Sequence, residues 1–360
     1  MNEPHPPVPP RRSSRMAYAG IAAVVASLAA AFAWTAGWLT PSRVTAPRLV
    51  DSIENGKPFA GFRRAHARGV CVAGYFEPTA EAAALSKARV FTQPVTPALG
   101  RLSIGGGDPY GLEGAARVRS LALQFDTDDG QRWRLAMNSF PFFAVSTPQA
   151  FAEQILASRP DPATGKPDPR KQQAFLERHP EAANFMAWAG SAPWSNSFAN
   201  TRYNGVHAFL FTNADGGENY VRWSFVPEAA FEPLDPEQRQ TGAPSLLTDE
   251  LQVRLARGPL RWTLELTIAD AGDPIEDPSQ PWPDDRRRVT AGTFVLESAS
   301  DQATGACRDI NFDPTMLPEG IAPSGDPVLA ARAAAYAVSF NRRQREFAAG
   351  DEPAATEGAQ

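Results

Sequence analysis

Cysteine is scarce in this 360-residue chain, with two copies, Cys71 and Cys307. No Cys-x-x-Cys or Cys-x-x-Cys-His occurs, which leaves a cysteine zinc site and a thioether-bound cofactor without support. An oxidising compartment would let the two pair, but nothing in their spacing brings them together, so two ordinary buried thiols are expected. Basic charge is also wanting. The net charge is −5, and no basic stripe stands out, which argues against a nucleic-acid partner. The glycine run Gly105-Gly106-Gly107 is followed by no lysine and opens no helix, so it makes no phosphate loop. Internal repeats and a nucleotide-binding motif are likewise missing.

What is present is ordinary for a globular domain: 43% hydrophobic and 21% charged residues. The 34 prolines and 27 glycines imply many turns. The length suffices for one large domain or two smaller ones.

The N-terminal end differs from the rest. Residues 1–15 are rich in Pro and Arg and are expected to be a disordered cytoplasmic tail. Residues 16–39 carry no charge and are long enough to span a bilayer as a helix. Arg11, Arg12 and Arg15 precede this run, which orients the chain with its N-terminus in the cytoplasm and the following domain outside. Trp34 and Trp38 would lie near the far interface. A cleaved signal peptide is the competing reading, because Ala31-Phe32-Ala33 fits the A-x-A pattern; the longer apolar run favours an uncleaved anchor.

Residues 40–59 read as a linker. Strands are expected at 69–76, 118–125, 133–138, 206–212, 220–226, 251–255, 260–268 and 293–298, with a short helix at 79–87. Turn signals such as Thr127-Asp-Asp-Gly130 join many of them. Seven or eight strands in meander order suggest an antiparallel barrel. Residues 148–189 are helical and broken by proline, an arm around the barrel. Residues 60–347 thus form one domain, and 348–360 should fray.

The stretch from Asp326 to Arg343 is rich in Ala, Leu and Arg and should be helical. Arg332 and Tyr336 are four residues apart and share a face. Asp326 sits near the helix start, where a carboxylate suits the dipole. An arginine one turn behind a tyrosine favours the phenolate, a hard ligand for ferric iron. On its own, an amphipathic packing helix explains the same residues.

Three other groups of residues stand out. Arg63-Arg64-Ala65-His66-Ala67-Arg68-Gly69 places a histidine at a strand entrance, as a candidate general base. In Arg101-Leu102-Ser103 the first and third residues face one side of a strand. In Asn138-Ser139-Phe140-Pro141-Phe142-Phe143 a polar residue borders an aromatic cluster and needs a partner.

Taken in order, these pieces resemble the haem catalase superfamily, and within it the catalase-related peroxidases, or minimal catalases. Residues 63–77 are close to the family's R-x-x-H-A-x-G-x-x-x-x-G-Y-F-E. Arg101-Leu-Ser103, the strand from Leu121 to Phe125 and Asn138-x-x-Pro-x-Phe143 follow. Next come Asn204-Gly-x-His207-x-Phe, Asp277-Pro-x-x-x-Trp-Pro283 and Phe312-Asp-Pro-x-x-Leu-Pro-x-Gly-Ile321. The helix with Asp326, Arg332 and Tyr336 completes the set. The resemblance covers about residues 50–345, and its force lies in the order of many modest motifs.

The resemblance implies an α+β fold, an antiparallel catalase-type barrel with helical excursions around a buried, non-covalent haem b. Tyr336 would be the axial iron ligand, with Arg332 stabilising its phenolate. His66 would move the peroxide proton during O–O heterolysis to a ferryl intermediate. Asn138 would orient the peroxide, and Ser103 would bond the other imidazole nitrogen. Arg63, Arg101 and Arg343 would pair with haem propionates. His207, Asp326 and Arg332 would form a hydrogen-bond chain, and Phe143 and Phe151 would pack near the haem. His5 and His179 match no motif and are expected to be exposed.

The chain departs from the family pattern in two ways. After Tyr336 the histidine-rich run is replaced by residues 337–344, with Phe340 and Asn341. The interlocking N-terminal arm and the further C-terminal region of full-length catalases have no counterpart, so a shorter, wider channel and a monomer or dimer are expected. The function implied is a peroxidase reducing organic hydroperoxides, and H2O2 as well, with a small reductant. H2O2 dismutation is the alternative. A hydroperoxide isomerase and a non-catalytic haem-binding module are more remote. The location implied is the cell membrane, single-pass, with the domain on the periplasmic side.

Overall fold

The computed structural model describes residues 14–39, 44–54 and 58–350. His5, Arg11, Arg12 and most of the C-terminal tail lie outside them. The chain divides into two units, Met1–Thr45 and Ala46–Gln360. The first contains helix α1 (Ser14–Thr35), within which Met16–Thr35 is long and apolar enough to cross a membrane.

The second unit is a barrel with helical additions. Its strands are β1 (Gly69–Pro78), β2 (Thr96–Ile104), β3 (Arg119–Asp126), β4 (Arg132–Asn138), β5 (Tyr203–Thr212), β6 (Glu218–Pro227), β7 (Leu260–Ile268), β8 (Arg288–Asp301) and β9 (Ile321–Pro323). Each of β1–β8 pairs antiparallel with its chain neighbours, except that β4 meets β5 at a single pair, Asn138↔Asn204. The pairing of β8 with β1 closes the ring, and β9 adds to β5. Closure removes the open edges that strands otherwise expose.

The barrel interior is a packed core. Trp133, Trp223, Trp262, Phe76, Phe125, Phe209, Phe225 and Phe294 fill it, with Phe209 stacked on Trp223 at 4.2 Å. Because these side chains fill the interior of the eight-stranded ring, a sizeable ligand must sit outside the barrel.

The helices supply that outer site. They are α2 (Ala46–Glu54), α3 (Ala80–Ala83), α4 (Pro148–Ala157), α5 (Pro169–Arg178), α6 (Ala182–Ser191), α7 (Gln238–Thr241), α8 (Leu246–Leu255) and α9 (Pro327–Ala348). Helices α4, α5 and α6 form the proline-broken arm, with α4 and α5 capped by Thr147 and Asp168.

Several local expectations change. The strand expected at 251–255 is the last turn of α8. Leu247 and Leu251 lie one helical turn apart and bury, and Glu113 accepts from the Leu247 and Thr248 N–H groups that start the helix. The stretch expected as a linker holds α2, with Leu49 and Val50 buried. The short helix at 79–87 shrinks to α3. His179 is not exposed; its ring meets Glu153 at 3.1 Å and Glu181 at 3.5 Å.

The two cysteines are not free thiols. Cys71 and Cys307 form a disulfide across 236 residues, with Cα atoms 5.3 Å apart. The contact arises because Cys71 lies on the outer face of β1, where the segment after β8 folds back with Phe312. Sequence spacing carries no trace of that return.

Candidate active site

The strand register builds two rows on the outer face of the barrel. One runs Cys71, Arg101, Ala122, Ala136 across β1–β4. The next runs Gly69, Ser103, Ser120, Asn138 and continues to Asn204 and Ser224. Partners directly opposite in an antiparallel sheet share a face. The first row supplies small alanines as a floor, and the second is polar. Gly69 is required there, since a Cβ would fall 2.7 Å from the Arg101 guanidinium and 2.3 Å from the Leu102 carbonyl.

Over this floor lies a cavity of about 510 Å³, within the range of cofactor pockets. Strands β2–β4, the 63–66 segment, α2, α4 and α9 wall it. His66, Asn138 and Ser103 line it, as do Arg63, Arg101, Arg343, Arg332, Phe143, Phe151 and Tyr336. Of the twelve residues singled out from sequence, ten meet in this one space, and Asp326, bonded to His207, does not line it. His207 stands just behind it.

His66 enters the cavity from a left-handed backbone, φ 55°. Histidine tolerates this region better than most residues, yet such a conformation still costs roughly 1–3 kcal/mol and persists only where the surroundings impose it. The Ala67 N–H, bonded to the Gly106 carbonyl at 3.0 Å, holds the turn. Burial, then the charges of Arg101 and Arg332, lower the His66 pKa to about 4. The imidazole is therefore neutral at pH 7, as a base must be.

Ser120 Oγ lies 3.1 Å from His66 Nδ1 and donates to Asn138 Oδ1 at 2.6 Å. Ser103 lines the cavity one strand away, but the hydroxyl on the imidazole is that of Ser120. Sequence reading missed Ser120, because only the β2–β3 register sets it beside Ser103.

The opposite wall is α9. Asp326 caps it, accepting from the Val328 and Leu329 N–H groups. Its other oxygen meets His207 Nδ1 at 2.5 Å. Arg332 Nη1 lies 2.8 Å from His207 Nε2, and Nη2 donates to the Tyr336 hydroxyl at 3.3 Å. A guanidinium has only protons to give, so Nε2 accepts and Nδ1 carries the ring proton toward Asp326. Burial first, opposed by the Asp326 bond, holds His207 down at about 4.

Three arginines crowd the remaining end. Burial lowers Arg63, helped by the charges of Arg101 and Arg343. It lowers Arg101 to about 9 and Arg343 to about 10. Arg63 donates to the Cys307, Arg308 and Ile310 carbonyls. The buried Nε atoms of Arg101 and Arg343 have no partner. No Asp or Glu lines the cavity among the described residues. Guanidiniums keep their protons in proteins, so this end is short of anions. It fits a planar group with carboxylates at its edge, as a haem has.

The family model described as Catalase matches residues 61–346. The chain belongs to the catalase family. This catalase-family chain is 37% identical to a catalase-related peroxidase of Synechococcus elongatus over 90% of its own length and 96% of the relative's. It is 34% identical to a catalase-related peroxidase of Mycolicibacterium paratuberculosis, covering 85% of this chain and 96% of that one. A catalase of Pseudomonas syringae is 30% identical, and there the chain spans 56% of the relative. Among solved structures, a fungal catalase superposes with a TM-score of 0.72 at 22% identity, over 79% of this chain and 59% of that one. The antiparallel barrel expected from sequence is thus borne out, as is the family.

Proposed function

We propose that this chain is a haem-dependent peroxidase that reduces organic hydroperoxides, and H2O2 as well, at the expense of a small reductant. The observation that carries the reading is one cavity with a tyrosine–arginine pair on its helix wall and a neutral histidine beside an asparagine on its sheet wall. The two catalase-related peroxidases, matched over 96% of their own lengths, support it.

Haem b suits the donor set. Tyr336 would ligate the iron, with Arg332 donating to its oxygen. Arg63, Arg101 and Arg343 would pair with the propionates, and Phe143 and Phe151 would supply the apolar flank. Bound there, haem supplies the two-electron redox chemistry that side chains lack. The side chains manage the protons. His66 Nε2 takes the proton from the hydroperoxide oxygen that carries it and returns it to the departing oxygen, so that alcohol or water leaves neutral. Asn138 Nδ2 donates to the peroxide and orients it. The electrons come from the reductant, one hydroperoxide yielding one alcohol and one water for two electrons and two protons.

The relatives named catalase favour dismutation of H2O2 as the second reading. We further propose that Met16–Thr35 is a membrane anchor or, failing that, a signal peptide, and that the domain from residue 46 onward works outside the cytoplasm. The Cys71–Cys307 disulfide fits an oxidising compartment. A monomer or dimer is proposed.

An oxygen electrode and a dye-oxidation assay with an organic hydroperoxide, run on haem-loaded protein, test the reading. Brisk dye oxidation with little oxygen release is expected, and His66→Ala should cut it by about 10²–10⁴-fold while haem stays bound. Fast oxygen release would hand the site to dismutation. An unaffected His66→Ala variant would remove the enzyme reading.

A further inference from the structure

The polar row on the barrel wall holds one residue that the family resemblance assigns nothing to, Ser120. It is paired directly with Ser103 on one side and Asn138 on the other. Both serines line the cavity, yet Ser120 is the one in contact with the imidazole.

A hydroxyl has a single proton. Ser120 gives it to Asn138 Oδ1, an oxygen without one, at 2.6 Å. Its 3.1 Å contact with His66 Nδ1 must then run the other way, from the ring N–H to the serine oxygen. Nδ1 therefore carries the ring proton, and Nε2 keeps its lone pair. The same bond orients the amide. With Oδ1 engaged, Nδ2 is the free end, and among the described residues it has no protein partner, although Asn138 lines the cavity.

We propose that Ser120 is a positioning residue which sets two catalytic groups with one hydroxyl. It selects the nitrogen of His66 that serves as base and the end of Asn138 that serves as donor. Ser120 touches no reacting atom and acts through its two neighbours. The use of this arrangement rests on the peroxidase reading, whereas the proton placement does not.

The test reads tautomers directly. The chain has 4 histidines, so nitrogen NMR of full-length, histidine-labelled protein is sparse, and a His66→Ala spectrum assigns the signal. Wild type, Ser103→Ala and Ser120→Thr should show His66 protonated at Nδ1 alone, while Ser120→Ala should show a mixture of tautomers. In parallel, cyanide association with the haem-loaded protein reports the base, because HCN must give up its proton on binding. Ser120→Ala should slow it by about tenfold, and Ser120→Thr should restore it.

A wild-type His66 protonated at Nε2 overturns the proposal by itself, even if Ser120→Ala fails to fold. So does a tautomer that responds to Ser103→Ala and not to Ser120→Ala. Failure to take up haem would defeat the peroxidase reading and silence the cyanide measurement, but the tautomers would still decide the role of Ser120.

Discussion

The cavity has two working walls built by different means. The helix wall is local: Asp326, Arg332 and Tyr336 stand on one helix within eleven residues, and one outsider, His207, links the first two. The sheet wall is assembled from afar. His66 comes from a left-handed turn, Ser120 from β3 and Asn138 from β4; register sets the last two side by side, and the turn brings His66 to them. Charge dominates the helix wall, where carboxylate, imidazole and guanidinium alternate. Neutral groups dominate the sheet wall, where a single hydroxyl sets two directions. In the proposed function the helix wall would hold the cofactor, which rewards strong fixed charge. The sheet wall would handle the proton, which rewards a neutral base.

Substitutions separate the walls. The largest effect is expected from Tyr336→Phe, which removes the proposed iron ligand. Peroxide turnover should fall by at least about a hundredfold, since even supporting groups around a metal are worth 10–100-fold. The visible haem band should shift or vanish, whereas His66→Ala leaves it in place. Retention of the wild-type band by Tyr336→Phe would strip the helix wall of its role.

Asp326→Ala should rank next. It removes a helix cap, worth about 1 kcal/mol, and leaves the buried His207 Nδ1–H unpaired, at about 1–3 kcal/mol. Denaturant midpoints should drop accordingly, and Asp326→Asn, which keeps the cap, should lose less. Equal losses in the two variants would mean that the cap contributes nothing.

The smallest and most diagnostic effect is on pH. Both buried imidazoles are held at about 4, against about 6.5 unfolded. Between these values the unfolded chain binds more protons, so stability is full above about pH 6.5 and declines as pH falls toward 4. Turnover follows His66 alone and should stay flat near neutrality, then fall through about pH 4. In His66→Ala the stability slope should persist in part, through His207. A turnover limb near pH 6.5 would mean that His66 is far more exposed to water than its position implies.

What could be read from the sequence follows the same division. The spacing of Arg332 and Tyr336 fixes a shared face because a helix repeats every few residues. His66 and Asn138 were legible through their motifs. The partnership of Ser120 was not, since no local pattern states which residue of β2 faces which of β3. Nor was the Cys71–Cys307 bond, which depends on a chain return after β8. Residues 251–255 misled because a short apolar run suits strand or helix equally. Helix α2 was hidden because its charges pair with distant partners, Asp51 with Arg342 and Glu54 with Arg64.

The disulfide turns most of the domain into a covalent ring. Residues 161–166, between α4 and α5, are exposed, and a protease could cut the chain there. One piece would then carry His66 and the other Tyr336. Because both ends of the ring are tied at Cys71 and Cys307, the pieces would remain one molecule until a reductant reached them. The nicked protein would keep the two facing walls of the cavity on a single covalent frame.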